Sequence, residues 1–166
     1  MNITIRTAVA EDCARIRPLQ EQIATLHHLG RPDLFKTEAR YFTQESFDKR
    51  LADPAHTMLI AEADGQVVGY AFAWVIPYRN HSTYIDFDSF YLDDICVLES
   101  HRHMGIGRTL FDRCVAEATA RKCKNVELGV WAFNKSAIAF YESCGMHERG
   151  RRMELTLEDS QVRHPD

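Results

Sequence analysis

No stretch of this 166-residue chain stays apolar for the roughly 18 residues that crossing a bilayer requires, which argues against a membrane protein. Its first residues, MNITIRTAVAED, lack the basic region and apolar run of a secretory signal. Cysteine is sparse: Cys13, Cys96, Cys114, Cys123 and Cys144 are odd in number, scattered, and form no CxxC pair. That pattern argues against a disulfide framework or a zinc site and fits reduced thiols in a cytoplasmic protein. Nor is there an excess of positive charge. The net charge is −4 and the pI about 6.1, so no nucleic-acid partner is expected. Internal repeats and low-complexity linkers are missing as well. Residues 1–158 read as one domain, and DSQVRHPD, 159–166, as a loose tail. The remainder is ordinary: 45% apolar and 27% charged residues, enough for a soluble domain with a buried core.

The apolar pattern then divides the chain. ITIRTA alternates like a short strand. Ile16, Leu19, Ile23 and Leu26 recur at helical spacing behind Glu11 and Asp12, and Pro18 predicts a kink or restart inside that helix. Gly30 and Pro32 end it, and Thr43 is placed to cap a second helix that Pro54 stops. HTMLIAEADGQVVGYAFAWVI predicts a hairpin around Asp64-Gly65, a pair suited to positive φ. A polar loop from Pro77 to about Ser82 precedes a strand ending in DDICV. A helix from about Gly105 to Lys122, a strand NVELGVW, a helix from Asn134 to Cys144 closed by Gly145, and a last strand in MHERGRRMELTL complete the chain. The order β-α-α-β-β-β-α-β-α-β describes an α/β domain around a mixed central sheet with flanking helices.

The densest chemical signal is SHRHMGIGRTLF, Ser100 to Phe111. Glycines at the mouth of a helix, with basic residues around them, suit a phosphate: backbone N–H groups and the helix dipole supply the attraction, and absent side chains permit close approach. A dinucleotide fingerprint is excluded, because its third glycine is replaced by Leu110 and seven residues separate Val97 from Gly105. A Walker loop is excluded because Arg108-Thr109 falls at the wrong spacing. Arg102-x-x-Gly105-x-Gly107 remains, either as a pyrophosphate cradle or as a plain tight turn. A second constellation follows a strand: Asn134 as a helix cap, with Ala137 and Tyr141 on one side of that helix.

Together these residues resemble the GNAT superfamily of N-acetyltransferases, which use acetyl-coenzyme A. The family pattern Q/R-x-x-G-x-G/A is met by Arg102, Gly105 and Gly107. The pattern N-x-x-A-x-x-x-Y-x-x-x-G-F is met by Asn134, Ala137, Tyr141 and Gly145, with Met146 in place of Phe. His103 and Met104 stand where glycine and a basic residue are common, so phosphate binding leans on Arg102, His103 and Arg108. LHHLGRPDLFK resembles a stretch of many uncharacterised bacterial members.

The resemblance implies that acetyl-coenzyme A lies where two neighbouring parallel strands, LDDICV and VELGVW, splay apart. Backbone groups of Ile95, Cys96 and Val97 would hold the pantetheine amides. The N–H groups of His103, Met104, Gly105, Ile106, Gly107 and Arg108 would hold the pyrophosphate, with Asn134, Ala137 and Tyr141 near the thioester. It also implies a homodimer, for which the last strand offers an edge. Acetyl transfer to an amine needs a base or proton path, since an alkylamine has a pKa of about 10.4. It needs a donor for the oxyanion, such as a backbone N–H near Val97, and a proton for the departing thiolate. Tyr141 is the candidate acid, and Asp93 or Asp94 the candidate base. On a regular strand Asp93 shares a face with Ile95 and Val97 and Asp94 with Cys96, and a bulge would exchange them.

Other polar groups read more plainly. His27 and His28 end a helix, where a positive imidazole suits the dipole. His101-x-His103 lacks an acidic or cysteine partner for a metal. Trp74 and Trp131 read as core, and Asp86 and Asp88 as a solvated rim. The acceptor is expected to be a small-molecule amine. Protein N-terminal or lysine acetylation, and a non-catalytic acyl-coenzyme A sensor, are the alternatives. A tRNA-directed enzyme is disfavoured by the net charge.

Overall fold

The computed structural model describes residues 2–38 and 40–157. β1 (Ile3–Thr7) is followed by a short helix α1 (Asp12–Arg15) and by α2 (Arg17–Gly30), with Pro18 in the first turn of α2, where its missing N–H costs nothing. The expected interruption at Pro18 is thus a restart. α3 (Gln44–Ala52) begins at Thr43, which accepts from Ser46 N while Ser46 answers the Thr43 N–H, a reciprocal cap. β2 (His56–Ala63) and β3 (Gln66–Tyr78) form the expected hairpin, with Asp64 at φ 49° and Gly65 at φ 84°. β4 (Phe87–Val97), α4 (Ile106–Ala120), β5 (Asn125–Glu127) and α5 (Lys135–Ser143) follow.

The sheet runs β1-β2-β3-β4-β5, antiparallel except for the parallel β4–β5 pair. One face carries Leu59, Ala71, Ala73, Phe90 and Leu92 against Ile106, Leu110 and Cys114 of α4. The other carries Met58, Ile60, Tyr70, Phe72 and Cys96 against Ile16, Leu19 and Phe47 of the first three helices. Arg6 and Arg15 clamp the fully buried Asp12 beside β1. No helix among the described residues is long and apolar enough to cross a membrane.

Two expectations fail at the far edge. The strand expected over NVELGVW stops after Glu127. β5 pairs with β4 only at Ser89–Asn125, Phe90–Val126 and Tyr91–Glu127, and then diverges. The last strand expected over MHERGRRMELTL is not formed, since residues 146–156 carry no strand. Its alternation has no apolar surface to face: Met153 and Leu155 are 84% and 78% exposed. Side-chain ion pairs tie the segment down instead, Arg149 with Glu127 and Arg31 with Glu154. The pairing edge that this strand was to offer a second subunit is therefore missing. The tail 159–166 lies outside the described residues.

Candidate active site

Beyond Tyr91 the edge of β4 that faces β5 has no strand beside it among the described residues, because the two parallel strands part there. The gap opens toward the corner where the chain leaves β4. Leu98 N donates to Val68 O (2.8 Å), and Gln22 of α2 braces the same corner. Its Nε2 donates to Val97 O (3.0 Å), and its Oε1 accepts from Glu99 N (2.8 Å). His103 (φ 61°) and Gly105 (φ 80°) then take left-handed conformations, and Gly105 caps α4, a position any Cβ would strain. Thr109 N donates to Gly105 O (2.9 Å), so helical bonding starts there. The N–H groups from His103 through Arg108 donate to no acceptor among the described residues. Unpaired amides at the positive end of a 15-residue helix are what a pyrophosphate requires.

The side chains divide differently from the sequence reading. Arg102 and His103 are exposed beside the turn, and Met104 is half exposed. Ile106 is buried, so only its backbone faces the cradle. Arg108 is engaged along the helix, with Asp112 (2.8 Å) and the Ser143 carbonyl (3.4 Å). Ile95 and Val97 pack on the α4 side. Cys96 is buried on the opposite face, where its thiol meets Leu19 O (3.6 Å). Burial, with the charge of Asp94, pushes that thiol up to about 12, which leaves it unreactive. Asn134 caps α5 through Ala137 N (3.1 Å). Tyr141, on α5, is partly buried and its hydroxyl makes no hydrogen bond among the described residues. Burial, reinforced by the negative charge of Asp94, raises its pKa, so the phenol keeps its proton.

A bulge separates the two candidate carboxylates from regular alternation. Phe72 pairs with Asp94 and Ala73 with Leu92, so Asp93 is the extra residue. Phe90 and Leu92 face α4, whereas Asp94 and Cys96 face the first three helices. Asp93 faces those helices too, bonded to Arg50 of α3 at 3.0 Å. Asp94 accepts a hydrogen bond from the hydroxyl of Tyr70, a residue buried in the core of that face. Burial pushes the Asp94 carboxyl up to about 7; the Tyr70 bond opposes that shift and the charge of Asp93 adds to it. Because Asp94 retains some solvent access, it is a carboxylate poised at neutral pH on an open gap.

Sequence reasoning missed Tyr70, Gln22 and Arg50. Tyr70 sits in an apolar strand and reads as core, which it also is. Neither its link to Asp94, 24 residues away, nor the link from Arg50 to Asp93, 43 residues away, leaves any local pattern. The expectation of a positive imidazole at the end of α2 is corrected for His27. Its Nδ1 shares a hydrogen bond with Tyr41 (2.6 Å), its ring stacks on Phe35, and burial lowers its pKa. His28 instead donates from Nδ1 to Phe35 O (2.7 Å). Trp131 is not core: it is 38% exposed, with Arg31 over its ring.

The fold and cradle define an acyl-coenzyme A-dependent transferase, and comparisons with known proteins agree. The model of the acetyltransferase (GNAT) family matches residues 23–146. The thialysine N-epsilon-acetyltransferase of Bos taurus is 28% identical over 88% of this chain and 85% of its own length. Among solved structures, a mutant of the BH1408 protein from Bacillus halodurans superimposes with a TM-score of 0.88 at 27% identity, over 92% of this chain and 98% of that one. The aminoglycoside N-acetyltransferase AAC(6')-Iy, in complex with CoA, shares the fold at 20% identity, with a TM-score of 0.69 over 92% of this chain and 98% of that one. The chain belongs to the acetyltransferase (GNAT) family, whose members are acetyl-coenzyme A-dependent acyltransferases.

Proposed function

We propose that the protein transfers the acetyl group of acetyl-coenzyme A to a small-molecule primary amine by direct attack, with Asp94 as general base and Tyr141 as general acid. The observation that carries this reading is the position of Asp94: a partly accessible carboxylate at the bulge, beside the gap between β4 and β5, with its pKa pushed up to about 7 by burial. The small amines named for the bovine and aminoglycoside enzymes support the acceptor class.

The N–H groups from His103 to Arg108 would hold the pyrophosphate, and the backbone of Ile95, Cys96 and Val97 the pantetheine. Asn134 and Ala137 set the start of the helix that carries Tyr141. At pH 7 only about one alkylamine in a few thousand is neutral. The base acts before attack, drawing one proton from the ammonium so that a neutral nitrogen can bond to carbon. Of the two protons an ammonium must lose, Asp94 passes one to solvent. The departing sulfur takes a proton from Tyr141, which recovers it from the nitrogen through water. A backbone N–H near Val97 serves the oxyanion.

The test is Asp94→Asn, assayed by thiol release against polyamines, amino acids, aminoglycosides and peptides. General base catalysis is worth about 10²–10⁴-fold, so kcat falls by that much while acetyl-coenzyme A affinity persists. A variant within about threefold of wild type removes Asp94 from the mechanism.

A further inference from the structure

Between α2 and the segment that leads into α3 lies a cleft of about 280 Å³, at the lower end of the range for small-molecule sites. None of its lining residues belongs to the coenzyme cradle, the β4 bulge or α5. Arg17, Gln20 and Glu21 line it from α2, at a spacing that puts them on one side of that helix. Arg40, Thr43 and Gln44 line it from the facing segment.

The donors of this cleft are unspent. Gln20 is only 5% exposed, yet its Nε2 meets no acceptor among the described residues. A buried amide N–H without a partner is costly, and such groups are rare in folded proteins. Arg17 and Arg40 are exposed and make no hydrogen bond or ion pair among the described residues. At the start of α3 the Thr43 hydroxyl takes the N–H of Ser46. The N–H groups of Gln44 and Glu45 are left without an acceptor among the described residues, at the positive end of a nine-residue helix. Glu21 is the one acid among the described lining residues, and it is exposed and paired with neither arginine. Asp48 acts on the Cys13 thiol at the same wall, but it lies outside the lining and accepts a hydrogen bond from Gln44 Nε2 (2.8 Å).

A carboxylate presents two oxygens in one plane and is matched by a single guanidinium fork. Here two guanidinium groups, a buried amide and a helix start share one cleft. That donor set suits the several oxygens and the near-double charge of a phosphate monoester. Two arginines outweigh the single opposing charge of Glu21, and the volume leaves room for carbon atoms carried on the phosphate.

We infer that this cleft binds the phosphate group of a small phosphorylated metabolite, at a site separate from the coenzyme cradle. Arg17 and Arg40 hold the oxygens from α2 and from the facing segment, and Gln20, the buried member, donates to them. The site does not depend on the acetyl-transfer reading above.

The protein is loaded with one equivalent of coenzyme A, so that added phosphate does not report on the cradle. Sodium phosphate, glycerol phosphate and sodium acetate are then titrated separately at constant pH and ionic strength. Heteronuclear NMR follows the side-chain amide of Gln20, identified by its loss in Gln20→Leu, and calorimetry on the same loaded protein gives the dissociation constants independently. Both phosphates are expected to shift that resonance saturably, with glycerol phosphate bound at least as tightly as inorganic phosphate and acetate about tenfold or more weaker. Removing one charge-assisted partner weakens binding by about tenfold to a hundredfold. Arg17→Met and Arg40→Met, both at exposed positions, should each raise the dissociation constant for phosphate by that factor. The site is overturned if phosphate binding is not saturable, if acetate binds as tightly as phosphate, or if the ester is excluded while inorganic phosphate binds. An unchanged affinity in either arginine variant overturns it as well.

Discussion

Replacing Tyr70 by Phe removes one oxygen from a fully buried ring and leaves in place its stacking on Phe72, with ring centres 4.5 Å apart. The lost oxygen is the donor to Asp94. Burial holds the Asp94 carboxyl up at about 7, and the Tyr70 bond is the main influence pulling it down. A hydrogen bond to a charged group is worth about 1.5–3 kcal/mol, and one pKa unit corresponds to about 1.4 kcal/mol. Its loss therefore raises Asp94 by about one to two units, toward 8–9. The sign follows from the role: a general base works deprotonated, so activity rises as pH passes its pKa. The ascending limb of kcat, measured at saturating acceptor and acetyl-coenzyme A, shifts to higher pH in Tyr70→Phe, and the two curves converge on the alkaline side. The titration of the amine is common to both proteins and cancels in the comparison. The other groups among the described residues that interact with Asp94 are the Ile95 backbone N–H, Asp93, Cys96, Tyr41 and Tyr141, and all are retained. A limb that stays in place, or moves to lower pH, refutes the reasoning.

Tyr141→Phe keeps the ring but not the O–H, so kcat should fall about 10²–10⁴-fold with KM for acetyl-coenzyme A nearly unchanged; steady-state thiol release measures it, and a fall below about threefold excludes a proton role. Gly107→Val should abolish coenzyme A binding, which calorimetry on wild type should place near micromolar, of the order of −8 kcal/mol. A Cβ at Gly107 would meet the Phe140 ring at 3.5 Å, an ordinary contact, so the loss is expected from the added γ-methyls, which crowd that ring and the first turn of α4. Asp12→Ala removes a fully buried carboxylate. Burial opposes its charge, but the hydrogen bonds of Arg6 and of Val9 N, with the charge of Arg15, outweigh burial and hold its pKa below the ordinary value. The cost should be about 3 kcal/mol in urea unfolding, at the low end for a broken pair because Arg6 is partly exposed and keeps Glu62. Because that pKa is depressed in the fold, the contribution is present above about pH 4 and is lost as pH falls below it; Asp12→Ala should show a correspondingly flatter acid limb.

What the sequence could disclose was local. The Asp64-Gly65 turn, the Thr43 and Asn134 caps and the interruption at Pro18 are each set by a few neighbouring residues, and each appears as expected. The splay was legible only through the family resemblance, and the structure shows it as a ladder that ends at Tyr91. The last strand misled because alternation is necessary but not sufficient: Met153 and Leu155 alternate with polar residues and face no apolar surface. The choice between Asp93 and Asp94 stayed open because it depends on one bulge, which no periodicity marks. Polar links between distant elements, Tyr70 to Asp94 and Gln22 to Val97, are set by packing.

The bulge in β4 also works as a reading-frame shift. Upstream of it, even-numbered residues from Phe90 to Leu92 serve the α4 core; downstream, odd-numbered Ile95 and Val97 do so. One strand thereby presents two incompatible alphabets of polarity, and the extra residue makes both legible to the same sheet. Straightening the bulge with every residue kept would move an acid into the apolar layer and turn two aliphatic side chains out of it, whereas deleting one of the two acids would leave all later residues on their present faces. The pattern after the bulge is therefore independent of the extra residue: loss of one acid would remove the bulge and keep Ile95 and Val97 on the α4 side.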